Sequence, residues 1–264
     1  MRILFIGDVV GSLGQQMLKN YLPRLKKHYK PQVTIVNGEN AADGKGITES
    51  AYKNILNAGA DVITMGNHTW DKHELLDFIE RAPKLVRPAN FPGATPGKGL
   101  VDINVNGKCL TVINLQGRVF LNSLDDPFAK IDELLTNNCR HSDWIIIDFH
   151  AEATSEKQAF GYYVDGRVAA VIGTHTHVQT NDARILSHGT GYLTDAGMTG
   201  PYNGVLGMKV DNVLSRFLTQ RPTRFTVAEN DQGQLNGCLL DLDDHGHTCD
   251  IKLVQITPSH PFFD

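Results

Sequence analysis

Val168-Ala169-Ala170-Val171-Ile172-Gly173-Thr174-His175-Thr176-His177 is the stretch on which the reading of the whole chain turns. Its first five residues are apolar and rich in β-branched side chains, the composition of a buried strand. Gly173 ends the run, and two histidines follow at i, i+2. On an extended strand that spacing puts both imidazoles on one side. Paired imidazoles are good ligands for Zn, Fe, Mn or Ni, although two hydrogen-bonded polar residues at a sheet edge would look the same. The rest of the chain weighs on the choice, because four other apolar runs end in ligand-type residues.

Those runs are residues 2–7, ending at Gly7-Asp8; 33–36, ending at Asn37-Gly38-Glu39-Asn40; 62–65, ending at Gly66-Asn67-His68; and 144–149, ending at His150. Helical spacing of apolar residues predicts helices over about 13–29, 49–58 and 71–81 between the first strands. Strand and helix alternating at these lengths predict a parallel α/β sheet. If all five strands are parallel, their polar ends line one carboxyl edge, where open α/β sheets bind ligands. The glycines just before four of these polar groups, Gly7, Gly38, Gly66 and Gly173, are expected to let the chain turn sharply and approach an ion or phosphate.

Beyond this frame, residues 83–99 read as a Pro/Gly loop. Residues 100–105 and 109–115, joined through Asn106-Gly107, read as a hairpin. A helix is expected over 126–138 and another near 209–219, with alternating strand-like runs at 224–228, 236–242 and 249–256. The antiparallel look of this second half predicts a second sheet packed on the first. Without a repeat, linker or low-complexity tract, residues 1–264 read as one domain.

The 264 residues carry a formal charge of −4 and 41% hydrophobic residues, an ordinary soluble composition with no basic field for duplex nucleic acid. Cys109, Cys139, Cys238 and Cys249 are scattered, so neither a zinc ribbon nor a Cys-x-x-Cys redox motif is available. Scattered cysteines without a secretory leader point to a reducing, cytoplasmic setting. No apolar run approaches the roughly 20 residues of a membrane span.

Taken singly, each strand end has a structural reading: Asp8 as a helix cap, Asn67-His68 as turn chemistry, His150 as a satisfied buried histidine. Taken together they supply two carboxylates, two amides and three or four histidines, more than one ion needs. Glu39 has two oxygens and can bridge. Two divalent ions against Asp8 and Glu39 leave net positive charge for an anionic substrate, the arrangement of two-metal phosphate ester hydrolysis.

The order Gly7-Asp8, Gly38-Glu39-Asn40, Gly66-Asn67-His68, His150, Gly173-x-His175-x-His177 resembles the calcineurin-like metallophosphoesterase superfamily, and within it the YmdB-type bacterial phosphodiesterases. The likeness extends through Asp148 to Lys157 and Thr194 to Pro201. It implies a four-layer α/β/β/α sandwich of two mixed sheets, and two metal ions, Fe or Mn. One ion would be held by Asp8, Glu39, Asn40 and His177, the other by Glu39, Asn67, His150 and His175. His68 would assist the leaving oxygen. The superfamily's usual Asp-x-His is absent, since Val9 and Val10 follow Asp8; Asn40 would fill that place, and Glu39 stands where a bridging Asp is usual. The resemblance implies hydrolysis of a small cyclic nucleotide, 2′,3′-cyclic AMP in particular, by attack of a metal-bridging hydroxide. A nucleotide-binding regulator with incidental turnover and a nucleotidase are the alternatives. A homo-oligomer is also expected.

Other motifs fit less well. Gly7, Gly11 and Gly14 miss the dinucleotide spacing, and Gly38 through Gly46 misses the P-loop by one residue and its Ser/Thr. Arg118, Lys157 and Arg167 are read as surface or structural residues.

Overall fold

The computed structural model describes residues 1–229 and 232–262. The chain opens with β1 (Arg2–Ile6), β2 (Asp8–Val9), α1 (Gly11–Tyr29), β3 (Val33–Asn37), α2 (Glu49–Ala58), β4 (Val62–Thr64), α3 (Leu75–Phe78) and β5 (Leu85–Val86). Strands β1, β3, β4 and β5 are parallel neighbours. Every residue of β1 after Arg2 is fully buried because both faces are covered. Leu4 and Ile6 pack under α1 and α2, while Ile3 and Phe5 face a second sheet. This double burial is why the strand reads as a continuous apolar run. Helix α1 runs through Pro23 and stops where Lys30 turns left-handed ahead of Pro31.

The middle of the chain builds the second sheet: β6 (Leu100–Val105), β7 (Lys108–Gln116), α4 (Pro127–Asn137), β8 (Trp144–His150), α5 (Thr154–Tyr163), β9 (Ala170–Thr174), β10 (Arg184–Ile185) and β11 (Gly191–Leu193). The β6–β7 hairpin turns through Asn106 and Gly107, both at positive φ, the geometry that Asn-Gly favours. Strands β7, β8, β9 and β11 are parallel, with β6 and β10 antiparallel at the edges. Ile113, Leu115, Ile147 and Phe149 pack outward against Ile131 and Leu134 of α4 and Phe160 of α5. Leu110, Val112, Ile146 and Ile172 pack inward against Ile3, Phe5 and Ile35. The result is the four-layer α/β/β/α sandwich of two mixed sheets.

Four expectations change. The C-terminal strands do not form the second sheet. After β12 (Met198–Pro201) and α6 (Val210–Thr219), β13 (Gly233–Leu242) returns antiparallel to β1 and pairs with β14 (Thr248–Ile256), completing the first sheet. The five ligand-bearing ends therefore do not share one sheet edge, but come from the facing edges of two. The run at 224–228 forms only an isolated bridge between Val227 and Met208. The helix expected over 71–81 shrinks to α3 and a 3-10 turn, Ile79–Arg81, because only Leu75, Phe78 and Ile79 find core to pack against. Among the described residues, no helix is long and apolar enough to cross a membrane.

Candidate metal centre

Asp8 at the start of β2, Glu39 and Asn40 after β3, and Asn67 and His68 after β4 come from the first sheet; His150 ending β8 and His175 and His177 after β9 come from the second. The facing arrangement brings all the expected ligands together. His150 Nε2 lies 2.9 Å from Asn67 Oδ1, 3.1 Å from His175 Nδ1 and 3.2 Å from Glu39 Oε1. Asn40 Nδ2 lies 3.0 Å from Glu39 Oε1 and 3.1 Å from His177 Nε2. Asp8 Oδ1 lies 3.9 Å from His177 Nε2 and 4.0 Å from His150 Nδ1.

Tight packing explains the glycines. None of Gly7, Gly38, Gly66 or Gly173 has positive φ, so the sharp-turn reading is corrected. A Cβ on Gly66 would stand 2.3 Å from Glu39 Oε2 and 2.4 Å from His150 Nε2, so only glycine leaves the ligands their room. The histidine pair is corrected too. Strand β9 ends at Thr174, and His175 and His177 lie beyond it at φ of 100° and 65°. They are placed by a left-handed loop, not by a strand pleat, at a cost of order 1–3 kcal/mol for each such residue.

Buried partners hold that loop. Asp8 Oδ2 accepts from His175 N at 3.2 Å, and Asp195 Oδ2 accepts from Thr176 N at 3.0 Å. Lys157 donates 2.7 Å bonds to both the Thr174 carbonyl and Asp195 Oδ2. Its side chain is 1% exposed, so this lysine is a buried strut with no surface role. Arg118 and Arg167, by contrast, pair at the surface with Asp126 and Asp132.

The outer partners set the ring nitrogens. His150 Nδ1 lies 2.8 Å from Thr174 Oγ1, which donates to Asp148 Oδ1 at 2.6 Å. Asp148 also receives Thr64 and Asn37 and is fully buried. His175 Nε2 meets Glu152 at 2.9 Å, and His177 Nδ1 meets the Leu206 carbonyl at 3.1 Å. In each case the outer nitrogen donates, so the inner one can give its lone pair to a metal, with His150 Nε2 first giving up its proton. His68 differs: its amide donates to Glu39 Oε2 at 3.0 Å and its Nδ1 faces Asp71 at 2.9 Å. Asp148, Glu152, Asp71, Lys157 and Asp195 were not singled out as site residues. Only Asp71, three residues after His68, carries a local signal.

The charges show what the cluster lacks by itself. Burial pushes Asp8 up to about 6 against the pull of His177 and His150. Burial would also raise Glu39, but the charge and hydrogen bond of His150 hold it at about 2. Burial opposes charge on His150, yet Glu39 and Asp8 carry it to about 9. Burial and the neighbouring His150 charge drive His175 down to about 3. One proton on His150 Nε2 thus serves Asn67 Oδ1, Glu39 Oε1 and His175 Nδ1, while the buried Asp8 Oδ1 has no hydrogen-bond partner among the described residues. Converging lone pairs and an orphaned carboxylate oxygen fit divalent cations. The Asn40 amide fits after a half-turn that exchanges Nδ2 for Oδ1.

This fold, with nitrogen and oxygen ligands gathered between the two sheet edges, defines a metallophosphoesterase. A Staphylococcus aureus protein titled a 5′-nucleotidase shares the fold at 14% identity and a TM-score of 0.62, over all of this chain and 55% of its own. The model of the family described as YmdB-like protein matches residues 4–254, and the chain belongs to that family. A Bacillus subtilis protein named 2′,3′-cyclic-nucleotide 2′-phosphodiesterase is 59% identical over the full length of both chains. A Mycoplasma pneumoniae structure titled a novel phosphatase superposes with a TM-score of 0.92 at 34% identity, covering 98% of this chain and 95% of its own.

Proposed function

We propose that this protein is a metal-dependent phosphodiesterase acting on 2′,3′-cyclic nucleotides. The observation that carries the reading is the convergence of lone-pair groups from two sheets on His150 Nε2, beside an unpaired, fully buried Asp8 oxygen. The full-length Bacillus relative supplies the substrate class.

In this reading Asp8, Glu39, Asn40 and His177 hold one ion, and Glu39, Asn67, His150 and His175 the other. The absence of thiolate among them suits Fe or Mn. When bound, such a pair supplies an activated water and neutralises charge on the phosphoryl oxygens. The chain supplies the rest. Glu39 stands between the two groups of ligands and fixes their separation. His68 is placed by its amide on Glu39 and oriented by Asp71, which accepts the hydrogen bond of its Nδ1. A proton on the Nε2 of that ring would pass to the leaving oxygen, a role typically worth about 10²–10⁴-fold. The exposed apolar side chains of α6, Leu214, Phe217 and Leu218, support the expected assembly with a second copy, which light scattering would reveal as a mass above one chain.

The test is hydrolysis of 2′,3′-cyclic AMP by protein loaded with Mn or Fe. Activity is expected, and Glu39→Gln is expected to lower it by roughly 10³-fold. A wild type inactive on that substrate and on a generic phosphodiester, or a fully active Glu39→Gln variant, would sink the reading.

A further inference from the structure

At the opposite end of the second sheet, Asp102 of β6 and Cys109 of β7 share a face of the hairpin. Asp102 pairs across from Thr111, and Cys109 pairs across from Asn104. Side chains two apart on one strand point the same way, so Asp102 and Cys109 are diagonal neighbours. The segment between α4 and β8 brings His141 against them, with His141 Nε2 3.0 Å from Asp102 Oδ2. A carboxylate oxygen, a thiol sulfur and an imidazole nitrogen then all lie within 4.8 Å of one another. Cys139, two residues before His141, is a buried free thiol close enough to feel both Asp102 and Cys109.

We propose that Asp102, Cys109 and His141, with a solvent water as the fourth donor, form a second metal site that takes a single zinc ion. The donor set is mixed S, N and O, with tetrahedral zinc as its natural guest. A thiolate disfavours Mg, Ca and Mn, so the preference differs from that of the thiolate-free centre at the other edge. Bond lengths of about 2.0–2.3 Å imply ligand separations of roughly 3.3–3.8 Å around zinc. The observed spread is a little wider, and the half-exposed Asp102 and His141 can close it by side-chain rotation. Thr111 Oγ1 donates to Asp102 Oδ1 at 2.6 Å, the carboxylate support common behind metal ligands.

A surface ion pair between His141 and Asp102 would need no cysteine. The sulfur is what this arrangement adds, and its setting is unfavourable to a bare thiolate. Burial raises the Cys109 thiol, and Asp102 and Asp143 raise it further. A cation reverses that balance, and Cys109 releases its proton to solvent as it binds. Seven residue steps along β7 take Cys109 to Gln116 beside His150, about 23 Å of strand, so the two centres do not share ligands. The role that follows is structural. The ion adds to the bonds from Asp143 and Ser142 that already tie the edge hairpin β6–β7 to the α4–β8 connection.

Reduced wild-type protein titrated with Co(II) provides the test. The phosphoesterase centre has no sulfur, so a thiolate-to-cobalt charge-transfer band can arise only elsewhere. A band saturating at one equivalent and displaced by zinc is expected. It should disappear in Cys109→Ser and weaken in His141→Ala, with hydrolysis of 2′,3′-cyclic AMP unchanged in both. Absence of the band, or its survival in Cys109→Ser, would overturn the site whatever the enzyme's substrate proves to be.

Discussion

Around His150, three lone-pair groups lie within 3.2 Å of one ring nitrogen; around Asp8, the nearest imidazole nitrogen is 3.9 Å away and one carboxylate oxygen has no partner. The first group is built at the ends of strands and is knitted by hydrogen bonds through Thr174 to Asp148. The second relies on His177, at the far end of a left-handed loop, and on an Asn40 amide that has to turn over. The contrast teaches that one half of the centre is fixed by the sheets, whereas the other is fixed by whatever holds residues 175–177. What holds them is the buried Lys157–Asp195 pair and the backbone bonds to Asp195 and Asp8.

The largest effect should come from attacking that support. Lys157→Met leaves Asp195 charged and unpaired in the core, and should destabilise the protein by about 3–5 kcal/mol in a denaturant melt. Unchanged stability would mean the loop is held some other way. Next, His177→Ala and His175→Ala should each lower activity by roughly 10²–10³-fold, but with different metal contents. His177→Ala should lose the ion of the looser half and keep the other, read as equivalents after gel filtration. Equal loss of both ions from either variant would dissolve the distinction.

The smallest effect belongs to the denser half and is read in pH. In chelator-stripped protein, His150 titrates at about 9, above its unfolded value of about 6.5, because Glu39 favours its charged form. A raised histidine pKa contributes stability that is complete below about 6.5 and is lost as pH rises through about 9. Stripped protein should therefore melt lower at pH 9 than at pH 6.5, and metal loading should release protons over that window. A flat melting profile would show that Glu39 and His150 are uncoupled.

Much of this centre was legible without coordinates. Asp8, Glu39, Asn40, Asn67, His68, His150, His175 and His177 all follow apolar runs, and a ligand after a buried strand is a local pattern. Gly66 was legible as a necessity but not for its reason: its missing Cβ makes room for Glu39 and His150, which are distant in sequence. For Lys157 the sequence left surface and structural roles open, because a lysine resembles a solvated one until its partner, 38 residues away, is seen in the core.

The sequence by itself determined most of the strands, the helices α1, α2 and α4, the Asn-Gly hairpin and the candidate ligands, since these depend on neighbours within a few residues, but it did not mark α5 between β8 and β9. Only the tertiary structure decided that β13 and β14 close the first sheet and that the ligands face one another from two sheets. It alone decided that His175 and His177 sit in a strained loop, not on a strand. Those outcomes depend on which distant surfaces bury one another, and hydrophobic burial is non-directional, so apolar periodicity marks a face for burial without naming its partner.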